Sequence, residues 1–307
     1  MYVIMGGTGH VGSATAEALL ARGQAVTIVT RSAARAAKWC DKGADIVEAD
    51  VEDVASLRAA FRRGRRAFLL NPPGDTSKDT DAIERHTVAN IVAALQGSGL
   101  EKVVAESTGG AQPGERIGDL SVLWELEEGL RRQPIPAAIN RAAYYMSNWE
   151  WLLDSVRSTG KLPTMFPADL PIPMVAPRDL GEAAAARLMS PLDDVGVRYV
   201  EGPRRYSSKD VATAFSQALG RPVEVEVVPR DKWKETFLGL GFSEAAADSY
   251  ARMTAASVDG GFDLPEEPKG RDGAGGIYRQ SCGAVAIARA TLLATISCSC
   301  HFFFALS

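Results

Sequence analysis

Apolar and amphipathic segments alternate through the first half of the chain. Short runs rich in valine, isoleucine and alanine predict buried strands, and apolar residues at helical spacing predict helices between them. This regular alternation predicts an α/β fold of the Rossmann type with a doubly wound parallel sheet. The predicted strands are residues 2–5, 25–30, 44–48, 67–70, 102–106 and 137–140, and the helices are residues 13–22, 80–97, 123–132 and a segment from about residue 52.

The second half is less regular and predicts a small C-terminal α+β lobe. Residues 199–229 contain a strand, a serine-capped helix, a glycine stop and another strand, and residues 231–261 predict two helices around a glycine turn. We expect the lobe to cover the carboxyl edge of the sheet, where ligands bind in open α/β folds. The predicted division is a Rossmann domain at 1–150 with a return segment at about 174–200, a lobe mainly at 151–263, and an atypical linker and apolar tail at 264–307.

Composition limits the classes of partner. The 307 residues are 46% hydrophobic, enough for a full core, and a net charge of −4 gives no general attraction to nucleic acid. The four cysteines form neither a disulfide framework nor a paired zinc spacing, so we expect a cytoplasmic protein without a bound metal. Serine and threonine interrupt the apolar tail, and we expect no membrane anchor.

A glycine motif lies between the first predicted strand and the first predicted helix. Gly6, Gly9 and Gly12 allow a sharp turn, close approach of a pyrophosphate to the backbone, and close packing of helix on strand. Free N–H groups and the positive dipole end of the helix favour phosphate binding there. The motif therefore predicts a dinucleotide-binding turn, which makes residues 1–150 the predicted NAD(P)-binding domain. The turn residues are Gly6, Gly7, Thr8, Gly9, His10, Val11 and Gly12.

The second predicted strand ends on a cation, where many dinucleotide-binding proteins have a carboxylate. The guanidinium of Arg31 suits the oxygens of a 2′-phosphate, Ser32 can donate to the same group, and Lys38 lies two helical turns farther on. These residues favour NADP(H), with NAD(H) left open as a second cofactor. The alternative is a solvated Arg31 beside a loosely bound adenosine.

Polar and proline residues close the next two predicted strands. Asp50 can accept from the adenine amino group while Val51 packs on the ring. Asn71, Pro72 and Pro73 form a stiff loop expected beside the adenosine ribose. Each is also a plausible cap or turn residue, but their place at consecutive strand ends favours a role at the cofactor.

Several stretches together resemble a known family. "MGGTGHVGSATAEALLARG", "EADVEDVASL", "FLLNPPG" and "NRAAYYMSNW" are similar to the NmrA-like branch of the atypical short-chain dehydrogenases/reductases, and the likeness runs to about residue 263. That branch includes NAD(P)H-dependent quinone and azo-dye reductases, and also NADP-sensing regulators without known catalysis. The resemblance implies that Ser107 lies near the nicotinamide, and that Tyr145 and Asn148 flank both the nicotinamide and the substrate.

The proton-donating pair of ordinary short-chain reductases is missing. The predicted helix at 123–132 contains no Tyr-x-x-x-Lys, and Leu123 occupies the position where relatives often have Lys or His. Ketone reduction needs a positioned acid, whereas quinones and azo compounds give stabilised anions that water can protonate. We therefore expect a small aromatic or quinone-like substrate, with Tyr144 or Tyr145 as candidate donor and Asn148 as an orienting group.

The sequence leaves open the role of two tryptophans and the choice among three candidate functions. Trp149 and Trp151 either stack on a flat substrate or belong to the core between the lobes. An NAD(P)H-dependent reductase is favoured over a regulatory protein that senses NADP(H) without catalysis. A sugar-nucleotide epimerase is disfavoured because it would use the missing Tyr and Lys. No nucleophile motif accompanies the histidines, and the sequence does not distinguish a monomer from a homodimer.

Overall fold

The computed structural model describes residues 1–261 and 277–279. The strands are β1 (Tyr2–Ile4), β2 (Val26–Thr30), β3 (Asp45–Glu48), β4 (Arg66–Leu69), β5 (Lys102–Thr108), β6 (Ala137–Ala142), β7 (Tyr144–Tyr145), β8 (Lys161–Thr164), β9 (Ile172–Val175), β10 (Gly196–Glu201), β11 (Arg205–Tyr206), β12 (Glu224–Val227) and β13 (Ile277–Arg279). The α-helices are α1 (His10–Leu20), α2 (Ala33–Ala36), α3 (Lys38–Asp41), α4 (Val54–Phe61), α5 (Thr80–Leu95), α6 (Asp119–Arg131), α7 (Leu153–Thr159), α8 (Pro177–Met189), α9 (Ser208–Leu219), α10 (Trp233–Gly239) and α11 (Glu244–Ala256).

The large sheet is parallel throughout and has the order β13-β10-β6-β5-β4-β1-β2-β3. Alternate strand residues face opposite sides, so each face has its own core. One core packs Ile4 and Val104 against α1 and α8, and the other packs Val103 and Leu69 against α4, α5 and α6. This arrangement confirms the predicted Rossmann-type α/β fold. It also brings the carboxyl ends of β1, β4, β5 and β6 to one edge.

The small lobe contains two short sheets, β11-β9-β7 and β12-β8, and has two apolar cores, one beside the sheets and one between α10 and α11. Its helix α9 begins with a capping box at Ser207 and ends at Gly220 in the left-handed conformation. The chain enters the lobe and returns, because α8 packs on α1 and β10 joins the large sheet beside β6. The division at residues 150 and 263 stays a prediction.

Several elements begin or end away from the predicted positions. The structure starts α1 at His10 rather than residue 13, and it extends β5 to Thr108 and β6 to Ala142. Helix α6 starts at Asp119, one turn before the predicted residue 123. Gly118 precedes it with φ 54°, a backbone conformation that favours glycine, so the helix start depends on a local turn that apolar periodicity does not report.

The predicted tail at 264–307 falls outside the described residues except for β13, which pairs with β10 in parallel. Its predicted character as a linker and apolar end stays a prediction. Among the described helices, none combines the length and hydropathy needed to cross a bilayer.

Candidate active site

The glycine turn joins β1 to α1 with little room for larger side chains. Gly6 adopts φ +65°, and its carbonyl accepts from the N–H of Gly9 at 2.8 Å. A Cβ on Gly12 would lie 2.2 Å from the carbonyl oxygen of Gly6, so only glycine lets α1 approach this closely. No side chain caps the start of α1, and Thr8 and His10 are exposed. The helix thus presents free backbone N–H groups at the carboxyl edge, as phosphate binding requires.

The end of β2 presents an unpaired guanidinium. Arg31 is exposed and has no ion pair or hydrogen bond within residues 1–261. The Nζ atom of Lys38 lies 5.7 Å from the centroid of the Trp39 ring. One neighbour was missed in the sequence: the Glu48 carboxylate accepts from the N–H of Ala33 at 2.7 Å. Glu48 pairs with Thr30 across the sheet, so a negative charge stands one residue from Arg31. The strand register, which the sequence does not show directly, places Glu48 beside Thr30.

The predicted adenosine residues divide into exposed and anchored side chains. Asp50 is exposed and accepts from the N–H of Glu52 at 3.0 Å. The Asn71 side chain is buried, accepts from Thr87 at 2.6 Å and donates to the carbonyl of Glu84 at 3.2 Å. The Asn71 side chain therefore ties the end of β4 to α5. The adjoining residues at this edge are Val51, Pro72 and Pro73, which are partly buried or exposed.

A cavity of about 220 Å³ lies beyond this edge, between the large sheet and the small lobe. It brings together the three residues predicted at the nicotinamide, Ser107, Tyr145 and Asn148. Leu123 forms part of the wall from α6, as a side chain without a proton or a charge. The lobe contributes residues that the sequence pattern did not single out. These are Phe166, Phe237, Tyr250 and Met253.

The two tryptophans differ in environment. Trp149 is 4% exposed and packs edge-on against Tyr144, with ring centroids 5.8 Å apart, so it belongs to the core of the lobe, at the point where that core borders the cavity. Trp151 is 50% exposed and lies at the cavity. Of the two, Trp151 has free ring surface for a flat ligand.

A buried ion pair holds the floor of the cavity in place. Glu127, on α6, accepts from Arg141 at 2.8 Å through both carboxylate oxygens, and from Ser107 at 2.6 Å. Burial opposes the charge of Arg141, but the hydrogen bonds to Glu127 outweigh it and hold the pKa of Arg141 above its usual value. The hydroxyl proton of Ser107 is therefore directed to Glu127, which the sequence did not reveal because the three residues lie on three elements.

Burial keeps the phenols of the site protonated. It raises the pKa of Tyr145 well above 10, and the carboxyl groups of Glu106 and Asp119 act in the same direction. Burial also raises the pKa of Tyr144. Asp119, the first residue of α6, lines the cavity one helical turn before Leu123. The sequence analysis missed it because the predicted helix began at residue 123.

Proteins similar to this chain in sequence or in fold cover most of its length. The NAD(P)H azoreductase of Xenophilus azovorans is 23% identical over 255 residues, covering 83% of this chain and 86% of the relative. The nitrogen metabolite regulation-like protein bik4 of Gibberella fujikuroi is 26% identical over 281 residues, covering 81% of this chain and 83% of the relative. Among solved structures, an NADPH-dependent quinone oxidoreductase from Escherichia coli, complexed with NADPH, matches with a TM-score of 0.75 at 17% identity and covers 95% of this chain and 100% of that one.

The family model described as the NmrA-like family matches residues 2–262, which include every strand of the parallel sheet except β13, and the small lobe. This match confirms the family indicated by the motifs around the glycine turn and the "NPPG" loop. The chain belongs to the NmrA-like family.

Proposed function

We propose that the protein is an NADPH-dependent reductase that transfers hydride to a flat, electron-poor acceptor such as a quinone or an azo compound. The observation that carries the proposal is the aromatic cavity beside the carboxyl ends of β5 and β6. It holds no amine at position 123, and its tyrosines keep their protons. Its aromatic lining suits a flat, conjugated acceptor better than a simple ketone.

The residues present fit a dinucleotide. The Gly6–Gly12 region offers the pyrophosphate an uncapped helix start with no room for a Cβ at Gly12, and Arg31 offers a free guanidinium to the 2′-phosphate. When bound, NADPH supplies the two electrons and the hydrogen of the transfer. Relatives named as NAD(P)H and NADPH enzymes support this choice of cofactor. Glu48 weakens the local positive field, which leaves room for some use of NADH.

Within the cavity, Tyr145 and Asn148 are placed to hold the acceptor against the nicotinamide. Both line the cavity with Ser107, which is fixed by Glu127. Trp151 supplies an exposed ring on which a planar acceptor can stack. Positioning of this kind lowers the barrier without a covalent step by the protein.

A regulatory role is the second candidate. Leu123 removes the usual amine from the cavity wall, and one relative is named as a nitrogen metabolite regulation-like protein. In this function the protein would bind NADP(H) and signal to a partner protein whether the cofactor is bound, without catalysing a reaction.

The two functions are separated by steady-state kinetics. Purified protein is mixed with NADPH and either a simple quinone or an azo dye, and the loss of nicotinamide absorbance is followed. We expect turnover with both acceptors. Tight NADPH binding without turnover on either acceptor would remove the reductase and leave the regulatory role.

Replacing Arg31 with aspartate is expected to weaken NADPH binding about tenfold, because one charge-assisted hydrogen bond is worth about 1.5 kcal/mol or more. NADH affinity should stay the same or improve. Dissociation constants for both cofactors, from nicotinamide fluorescence, measure the change. Arg63→Asp is the matched control, since Arg63 is exposed in the turn before β4, at the opposite edge of the sheet. Equal losses in the two variants would contradict a specific phosphate contact.

A further inference from the structure

The carboxyl group of Asp119 lines the cavity and has no role in the function proposed above. It begins α6, lines the cavity and lies one helical turn from Leu123, so both side chains face the same space. Within residues 1–261 its carboxyl makes no hydrogen bond and no ion pair. Most acidic residues of α6 are paired: Glu127 with Arg141, Glu128 with Arg131, and Glu125 with Arg85.

The surroundings of Asp119 are acidic and partly closed from water. From α5, Asp81 is paired with Arg85 at 3.1 Å and accepts from Ser249 at 2.6 Å. The ionisable or charged groups that face the carboxyl from the packed elements are Asp81, Glu84 and Arg85 on α5, Tyr250 on α11 and Tyr145 on β7.

These groups disfavour the ionised form of Asp119. Burial, and then the neighbouring Asp81 carboxylate, raise its pKa to about 7. Burial and Asp119 in turn raise the pKa of Glu84 to about 8. Within the described residues, no group of three carboxylates, histidines or cysteines is arranged to hold a metal ion.

We propose that Asp119 is the proton donor of the reductase, placed in the cavity to protonate the acceptor as it receives hydride. The inference rests on the proposed function and names a catalytic residue for it. Its basis is the position of an unpaired carboxyl on the cavity wall, where the acceptor must lie between α6 and the Tyr145–Asn148 segment.

The step balances as follows. The acceptor gains two electrons and one hydrogen as hydride, and the N=N or C=O bond is reduced to an anion. The O–H bond of the Asp119 carboxyl breaks, and a new N–H or O–H bond forms on that anion. The carboxylate then recovers a proton from water. In the overall reaction, NADPH, the acceptor and one proton give NADP⁺ and the acceptor reduced by two electrons.

Other donors near the cavity fit less well. The Ser107 hydroxyl already donates to Glu127 at 2.6 Å, and burial makes the Tyr145 phenol a weaker acid than a free tyrosine. The best general acid has a pKa near the working pH. Among the residues that line the cavity, Asp119 is the carboxylic acid.

The test compares Asp119→Asn with wild type on both acceptors. A nitrogen anion is a stronger base than a quinol anion and needs the acid more. We expect azo reduction to fall about 100-fold and quinone reduction to fall less. In wild type the azo rate should drop about tenfold per pH unit above the pKa, because only the protonated acid donates, and the variant should lose this dependence. Asp119→Glu should retain it at a lower rate.

A binding measurement supplies a readout without turnover. The oxidised nicotinamide ring is cationic and the reduced ring is neutral, so ionised Asp119 favours NADP⁺. Between pH 6 and 8 the ratio of the NADP⁺ to NADPH dissociation constants should fall about threefold in wild type. It should stay constant in Asp119→Asn. Glu128→Gln, on the same helix but away from the cavity, controls for loss of charge and should behave as wild type.

The outcomes are distinct. Normal turnover by Asp119→Asn, with an unchanged pH profile on both acceptors, would overturn the inference and leave the reductase. An equal loss on both acceptors, with the pH profile kept and the thermal midpoint lowered, would assign Asp119 a structural role and also overturn it. No turnover by wild type on any acceptor would overturn the proposed function, and the donor role with it.

Discussion

Replacing Glu127 with alanine is expected to lower the free energy of unfolding by about 3–5 kcal/mol, the usual cost of leaving one partner of a buried ion pair alone. Glu127 is fully buried, and the Arg141 side chain, which is only 15% exposed, donates to both of its oxygens. Without Glu127, the guanidinium keeps only the Tyr199 hydroxyl as a side-chain partner, at 3.0 Å. Urea unfolding followed by circular dichroism measures the change.

The adjacent residue provides the control. Glu128 pairs with Arg131 at the surface, and its side chain is 29% exposed. Glu128→Ala should change the free energy of unfolding by only about 0–1 kcal/mol. A cost for Glu127→Ala no greater than that of Glu128→Ala would show that the buried pair contributes no net stability.

Replacing Gly12 with alanine should damage both binding and stability. Alanine favours a helix over glycine by about 1 kcal/mol. The added Cβ, however, would meet the Gly6 carbonyl oxygen at 2.2 Å and the Met5 carbonyl oxygen at 2.8 Å. Backbone cannot rotate away as a side chain can, so overpacking of about 3 kcal/mol outweighs the helical gain. We expect a net loss of about 2 kcal/mol.

The same change moves the start of α1 away from the phosphates. Losing two charge-assisted N–H contacts of about 1.5 kcal/mol each would weaken NADPH binding about 100-fold. Calorimetry of binding and thermal unfolding measure the two effects. Gly239→Ala is the matched control, because a Cβ there meets nothing within 4 Å and the backbone is not left-handed. Wild-type NADPH affinity in Gly12→Ala would contradict the role assigned to the turn.

The sequence predicted the features that depend on local pattern. The alternation of strands and helices and the glycines after β1 were sufficient for the fold, since each element's periodicity reports which side is buried. The motifs were sufficient for the family. Leu123 was singled out by counting back from the next strand, and the structure has it on the cavity wall.

The sequence did not predict features that need register or tertiary contact. Glu48 lies beside Thr30, the residue before Arg31, only because β2 and β3 align in this register. Ser107, Glu127 and Arg141 meet only when β5, α6 and β6 are packed. Asp119 could have been found by counting one turn back from Leu123, but the helix start at Gly118 depends on a turn without apolar periodicity.

The packing of α8 on α1 has a consequence for how the protein is made. Gly181 of α8 touches the backbone of Ala14 so closely that a Cβ there would lie 2.5 Å from it. The helix that begins at the glycine turn is therefore covered by residues that leave the ribosome more than 150 positions later. In a nascent chain that ends before α8, α1 covers only part of its face of the sheet, so this core cannot be completed until α8 has been made. Folding of the two halves is coupled in this way, and the uncovered part of the face is a natural target for chaperones during that interval.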